Sequence, residues 1–283
     1  MTRARAKEID IALPHLRLAG LRSGNRHGPK LLAIHGWLDN AASFDALSPW
    51  FDDFDLVAID LPGHGRSDHR PRGAWYHYVD YLYDVLCCVD ALGWPRFAVL
   101  GHSLGGAIGS VLAAALPERV EALYLIEAFG PISTPSEKSL ALLRAALGDR
   151  AGIDAKQLRI FPNLDAPAAA RRQHPQMPLS ADAALALVTR GTRQVDGGHV
   201  WSSDPRLTLT SAIRMTEEQI RNCLSGITCP TRLVLADPAM PFVDQVMMNE
   251  RLALVPQLVV ARLPGTHHLH MDIAEPVARA LRG

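Results

Sequence analysis

Short apolar runs alternate with amphipathic segments along the first half of this chain. From residue 8 to residue 21 apolar and polar positions alternate, which predicts an opening pair of antiparallel strands. Continuous apolar runs predict further, buried strands at 31–34, 56–59, 97–100, 123–126, 231–235 and 258–261. Apolar positions with helical spacing predict helices at 78–92, 107–116 and 274–281. This order of elements predicts an α/β fold, with a mostly parallel central sheet and helices on both faces.

The alternation of strands and helices stops after Gly130 and resumes only near residue 231. The residues between, 131–227, are helical in pattern, rich in arginine and interrupted by prolines. Residues 1–130 and 228–283 are therefore predicted to form the core. Residues 131–227 are predicted to form a helical lid that is inserted after the sixth strand.

Composition and charge narrow the class of protein. The 283 residues are 48% hydrophobic and 20% charged, which is typical of a globular chain with a large core. Basic and acidic residues both number 29, so the net charge of zero gives no support for nucleic acid or an anionic membrane surface as the main partner. A membrane span is not predicted, because no run of about 18 apolar residues occurs.

The N-terminus and the cysteines both favour a cytoplasmic protein. Residues 1–7 are basic, and no apolar stretch follows them, so the sequence predicts no secretion signal. Cys87 and Cys88 are adjacent within a helical pattern and point to different faces. That arrangement suits neither a zinc site nor a disulfide framework.

The most informative motif is GHSLGG at residues 101–106, which lies between a predicted strand and a predicted helix. A serine at such a sharp junction adopts a strained, positive φ, and the backbone on either side comes unusually close. Gly101 and Gly105 have no side chains, so they allow this close approach. A phosphate-binding loop would need different glycine spacing or a GK[ST] ending, which this motif lacks. Ser103 is therefore predicted to be a nucleophile.

With three other motifs, this elbow resembles the α/β-hydrolase fold family over essentially the whole chain. Residues 35–37 (HGW) are similar to the oxyanion loop, residues 60–67 (DLPGHGRS) to the loop after the next strand, and residues 265–268 (GTHH) to the C-terminal histidine turn. Residues 127–131, 204–206 and 267–272 resemble most the serine-hydrolase-like subgroup.

The resemblance implies a histidine base for Ser103, since a serine hydroxyl is inert near neutral pH without one. Matching the C-terminal motif to the family puts the base at His267, with His268 and His270 as competitors. His102, beside the serine, is expected to pack or shape the site rather than accept a proton.

The resemblance also implies an oxyanion hole made of two backbone N–H groups, those of Leu104 and Trp37. Gly36 and His102 lie next to these donors in the sequence and complete the group expected at the oxyanion and substrate site.

The acid of the triad stays open at the level of sequence. The family usually places it after the second-last strand as G-x-x-D, whereas this chain has Ala236 and Asp237 there, without the glycine. Some members place the acid one strand earlier, where this chain has Glu127. The order serine, acid, histidine slightly favours Asp237 over Glu127, and Asp244 is a more distant candidate.

These residues predict a carboxylesterase-like serine hydrolase of small, largely apolar acyl esters that works through an acyl-enzyme. No cofactor is expected, and no metal, because the histidines and aspartates lack ligand spacing on one element. The expected partner is a small acyl substrate, and the oligomeric state is not predicted. Two alternatives are a ligand-binding receptor on a hydrolase scaffold and a cofactor-free perhydrolase or haloperoxidase.

Overall fold

The computed structural model describes residues 6–153, 158–241 and 243–283. Residues 1–5 and 242, which belong to the predicted core, and residues 154–157 of the predicted lid lie outside the described residues.

Strands of this described region form one central sheet of eight strands and one small hairpin. The central strands are β1 (Lys7–Ala12), β2 (Arg17–Gly24), β3 (Lys30–Ile34), β4 (Asp55–Ile59), β5 (Phe97–His102), β6 (Val120–Ile126), β9 (Thr231–Asp237) and β10 (Leu258–Pro264). The hairpin consists of β7 (Thr192–Val195) and β8 (Gly198–Trp201). The strand order in the sheet is β1-β2-β4-β3-β5-β6-β9-β10.

Strand directions in the sheet agree with the hydrophobic pattern. The alternating N-terminal segment forms β1 and β2, which pair antiparallel, and β2 pairs antiparallel with β4. From β4 to β10 every pairing is parallel. All five residues of β4 and all six of β5 are buried, because these strands are covered on both faces.

Helices cover both faces of the sheet, as the order of elements predicted. The α-helices of the described residues are α1 (Tyr78–Ala91), α2 (Leu104–Ala115), α3 (Ser139–Ile153), α4 (Asp165–Arg172), α5 (Ala181–Gly191), α6 (Glu217–Leu224), α7 (Gln245–Leu252), α8 (Leu269–Asp272) and α9 (Ala274–Arg282). On one face Val85 of α1 and Ile108 of α2 belong to one apolar cluster, and on the other Val277 of α9 belongs to a second. Two packed layers of helices therefore enclose the sheet.

The chain leaves the sheet after β6, the sixth strand, and returns at β9. The segment between holds α3 to α6, but it also holds the β7–β8 hairpin, which the hydrophobic pattern did not predict. The hairpin strands have four residues each and bury few of their side chains. Their sequences therefore contain no apolar run from which strands could be predicted. A buried ion pair between Arg190 of α5 and Asp60 anchors this insert to the core.

No helix in the described part of the chain is both long and apolar enough to cross a membrane.

The packing of α2 against β3 leads to a test of the elbow. A Cβ at Gly105 would lie 1.8 Å from the carbonyl oxygen of Ile34, so Gly105→Ala is expected to lower the free energy of unfolding by about 3 kcal/mol. A Cβ at Gly148 in α3 would have no neighbouring atom within 4 Å, so Gly148→Ala is expected to raise it by about 0.5 kcal/mol. Urea unfolding of both variants measures the difference, and equal effects would contradict the packing argument.

Candidate active site

Ser103 lies at the sharp junction between β5 and α2. Its φ is 51°, a left-handed conformation that is rare for residues other than glycine. The N–H of Ser103 donates to the carbonyl oxygen of Ile126 at 2.9 Å, which ties the junction to β6. A Cβ at Gly101 would lie 2.6 Å from the backbone of Gly105 and Gly106, so the strand and helix meet only because these residues lack side chains. This geometry places the serine, which is half-buried, at the carboxyl end of the sheet.

Glu127 and His267 form a buried pair at the same edge. Oε2 of Glu127 lies 3.1 Å from Nδ1 of His267, and both residues are almost fully buried, with 8% and 5% of their surfaces exposed. Oε1 of Glu127 accepts the N–H of Ala236 at 2.6 Å. Glu127 itself has a φ of 58°, so a strained backbone turns its side chain towards β9 and the histidine.

The other two candidates for the acid, Asp237 and Asp244, make different contacts. Asp237 is exposed at the end of β9, and its carbonyl oxygen accepts the N–H of Gly265 at 3.4 Å. The side chain of Asp244 accepts the N–H groups of Val246 and Met247 and caps α7. The sequence slightly favours Asp237 as the acid, whereas in the structure it is Glu127 that occupies the buried position beside Nδ1 of His267.

The remaining C-terminal histidines have other contacts. Nε2 of His268 lies 3.0 Å from Oδ2 of Asp39, and Nε2 of His270 lies 2.8 Å from the hydroxyl of Ser43. Nε2 of His102 donates to the carbonyl oxygen of His267 at 2.8 Å. His102 is fully buried, and this hydrogen bond ties the end of β5 to the histidine turn.

The oxyanion loop follows β3 and is oriented by His35. The N–H of Leu61 donates to Nε2 of His35 at 3.0 Å, which leaves Nδ1 to donate to the carbonyl oxygen of Gly36 at 2.7 Å. The indole N–H of Trp37 donates to the carbonyl oxygen of Leu207 at 3.0 Å, and 49% of the Trp37 surface is exposed. Because β3 and β5 are neighbours, this loop and the start of α2, where Leu104 lies, meet at the same edge of the sheet.

Asp39, His102 and His268 are the group of metal-ligating side chains found among the described residues, with their ligand atoms within 4.8 Å of one another. Arg171 of α4 also pairs with Oδ1 of Asp39. An arginine cation on one carboxylate oxygen and a 3.0 Å hydrogen bond from His268 on the other satisfy this carboxylate. These contacts form a network of hydrogen bonds and ion pairs around Asp39.

Burial lowers the pKa of the two histidines of the C-terminal turn. It lowers the pKa of His267 below its usual value, and the neighbouring Glu127 carboxylate opposes this effect. Burial also lowers the pKa of His268 to about 4, against the opposing charge of Asp39. His267 is thus neutral near pH 7, and its Nε2 can accept a proton while Nδ1 faces Glu127.

Sequence reasoning missed Asp39 and Arg171. Asp39 comes two residues after Trp37, just beyond the motif assigned to the oxyanion loop. This position was the one feature of the sequence that could have pointed to it. Arg171 is one of several arginines in the insert, and only the folded path of α4 brings it to Asp39.

Comparisons with known proteins identify the family and the fold. Residues 29–196 match the model of the alpha/beta hydrolase fold family. A serine hydrolase-like protein of Danio rerio is 30% identical over 99% of this chain and 88% of its own length. Serine hydrolase-like protein 2 of Homo sapiens is also 30% identical, over 96% of this chain and 91% of its own length.

Solved structures share the fold along the whole chain. A hypothetical protein from Pseudomonas aeruginosa PAO1 has a TM-score of 0.92 and 40% identity, with 97% of each chain covered. A thioesterase domain from the curacin biosynthetic pathway has a TM-score of 0.85 at 24% identity, covering 99% of this chain and 100% of the domain, and this likeness concerns the fold alone.

The buried histidines predict a loss of stability in acid. Burial lowers the pKa of His35 to about 4, of His64 to about 3 and of His268 to about 4, from 6.5. Below pH 6.5 the unfolded chain therefore binds more protons than the folded one, and stability falls as the pH is lowered towards 4. Each histidine contributes a loss of about 1 kcal/mol per pH unit.

Urea unfolding at several pH values in this range measures the effect. The variant His64→Gln is expected to show a shallower slope than the unchanged chain, because it removes one of these protons. A stability that stays constant from neutral pH to about pH 5 would contradict the buried, neutral state of these side chains.

Proposed function

This chain belongs to the α/β-hydrolase fold family and to its serine hydrolase-like group, and we propose that it is a carboxylesterase-like serine hydrolase. Its substrate is a small, largely apolar carboxylic ester or related acyl compound. The observation that carries the proposal is the combination of a strained serine, with φ of 51°, and a histidine paired with a buried carboxylate at 3.1 Å on the same edge of the sheet.

The roles follow from the chemistry of acyl transfer. Oγ of Ser103 attacks the ester carbonyl carbon while Nε2 of His267 takes the hydroxyl proton. Glu127 keeps Nδ1 of His267 as the protonated nitrogen and stabilises the imidazolium that forms. The histidine then gives its proton to the departing alkoxide, which leaves as the alcohol, while the acyl group stays on Ser103. Water, deprotonated by the same nitrogen, releases the acid.

The oxyanion of each tetrahedral intermediate needs donors at this edge. The backbone N–H groups of Leu104 and Trp37 are proposed for this role, each lowering the barrier by about 3 kcal/mol. The half-exposed indole of Trp37 supplies apolar surface beside them, which supports an apolar acyl group. Residues 131–227 are proposed to act as the lid over this site, with 1–130 and 228–283 as the core.

The receptor alternative depended on the lack of a clear acid. The contact between Glu127 and His267 removes that reason, so the hydrolase is preferred. Fluorophosphonate labelling and turnover on esters of graded acyl length separate the two functions. A hydrolase is labelled at Ser103 and cleaves the ester, whereas a receptor returns the ester intact and leaves Ser103 unlabelled.

Removing the nucleophile is expected to abolish turnover. Ser103→Ala should lower kcat by at least about a thousandfold, and His267→Ala by a similar factor, because the two act as one unit. The double variant should lose little more than either single one. His270→Ala, whose ring contacts Ser43 instead, should stay within about tenfold of the unchanged enzyme when folded. Retention of activity by Ser103→Ala within about tenfold would remove Ser103 from the mechanism.

The acid is tested by charge removal at constant shape. Glu127→Gln should lower kcat by about four orders of magnitude, because the imidazolium loses its partner. Asp237→Asn is the matched control, and it should stay within about tenfold of the unchanged enzyme because Asp237 is exposed. Steady-state kinetics on the best ester of the panel measures both, and a reversed order would return the role to Asp237.

A further inference from the structure

Asp39 lies at the centre of a buried network that the proposed mechanism does not use. Only 3% of its surface is exposed. Oδ2 lies 3.0 Å from Nε2 of His268 and 3.6 Å from Nδ1 of His102, while Oδ1 pairs with Arg171. These contacts come from the histidine turn, the end of β5 and helix α4 of the insert, so one carboxylate joins three separate parts of the chain.

The same carboxylate lies against the oxyanion loop. A Cβ at Gly36 would be 3.2 Å from Oδ2 of Asp39 and 3.0 Å from Nδ1 of His102, so the loop backbone lies directly on these two side chains. The N–H of Asp39 donates to the carbonyl oxygen of Gly36 at 3.1 Å and closes the loop, with Leu38 between them at a φ of 58°. Movement of Asp39 would therefore move the residue before Trp37.

We propose that Asp39 is a positioning residue of this site, which holds the turn carrying His267, the oxyanion loop and helix α4 in one fixed arrangement. The inference rests on the proposed function for its effect on turnover. Asp39 acts through His268 and Gly36 rather than on the substrate, because it is buried beneath the loop.

The charge of Asp39 has a measurable consequence at His267. The groups that face His267 are the carboxylates of Glu127 and Asp39, which raise its pKa, and the rings of His102, His268 and His270, which oppose protonation. Removing the negative charge of Asp39 should therefore lower the pKa of His267. Removing Arg171, the cation that partly cancels this charge, should raise it.

Opposite shifts in the pKa of His267 on removal of Asp39 and of Arg171 would indicate an effect of charge. A general loosening of the structure would instead shift this pKa in the same direction in both variants. Asp60→Asn is the matched control. Asp60 is also a buried aspartate that pairs with an arginine of the insert, Arg190, but its hydrogen bonds go to backbone N–H groups and to that arginine.

The experiment compares Asp39→Asn, Arg171→Ala and Asp60→Asn in the full chain. The titration of the His267 imidazole, followed by NMR with labelled histidine, requires no substrate. We expect a decrease on the order of one pKa unit in Asp39→Asn, an increase in Arg171→Ala and no change in Asp60→Asn. In the ester assay, Asp39→Asn should lower kcat at least about tenfold with KM within about threefold, and the acidic limb of its pH profile should move to lower pH.

The outcomes separate the inference from the proposed function. If Ser103 is not labelled and no ester is cleaved, the proposed function fails, while the His267 titrations still decide the role of Asp39. Shifts of equal sign in Asp39→Asn and Arg171→Ala, or the same shift in Asp60→Asn, would overturn the inference. Should Asp39→Asn fail to fold, an unchanged or lowered pKa of His267 in Arg171→Ala would also overturn it.

Discussion

The carboxylate of Glu127 is the constraint on which the rest of the site depends. A buried carboxylate is costly unless its oxygens are paired, and here one oxygen accepts the N–H of Ala236 while the other contacts His267. These contacts fix the end of β9 and the histidine turn against the end of β6. The N–H of Ser103 donates to Ile126 of that same strand. The parallel register of β5, β6 and β9 thus sets the positions of all three proposed catalytic groups together.

Most of the central sheet could be predicted because its inner strands are buried on both faces and form continuous apolar runs. The elbow could also be predicted, since only glycines at 101 and 105 allow the strand and helix to approach so closely. The hairpin of the insert could not, because its short strands pack few side chains and carry no apolar signal. Local pattern fails where local packing is weak.

The acid could not be chosen from the sequence because two neighbouring strands end in a carboxylate at one edge, Glu127 just after β6 and Asp237 at the end of β9. The family's usual placement of the acid after the second-last strand favours the second, but the choice depends on which backbone conformation turns its side chain towards the histidine. The positive φ of Glu127 does so, and no pattern of residue types encodes that angle for a glutamate. Side-chain direction at the strand ends is a tertiary property.

The arginines of the insert acquire a meaning only in the folded chain. As a sequence the insert is basic while the whole chain is neutral, which indicates no partner. In the structure Arg171 and Arg190 pair with Asp39 and Asp60, buried aspartates of the core. Such pairs add little net stability, since desolvation offsets their attraction, but breaking one leaves a buried charge. These ion pairs therefore favour one position of the insert against the core over others.

The two histidines of the C-terminal turn are held from opposite sides of the strand that carries Ser103. In the sheet β5 lies between β3 and β6. His267 contacts Glu127, which follows β6, and His268 contacts Asp39, which lies in the loop after β3. Both contacts use atoms other than Nε2 of His267, so they can hold the ring still while that nitrogen exchanges the proposed proton with the serine.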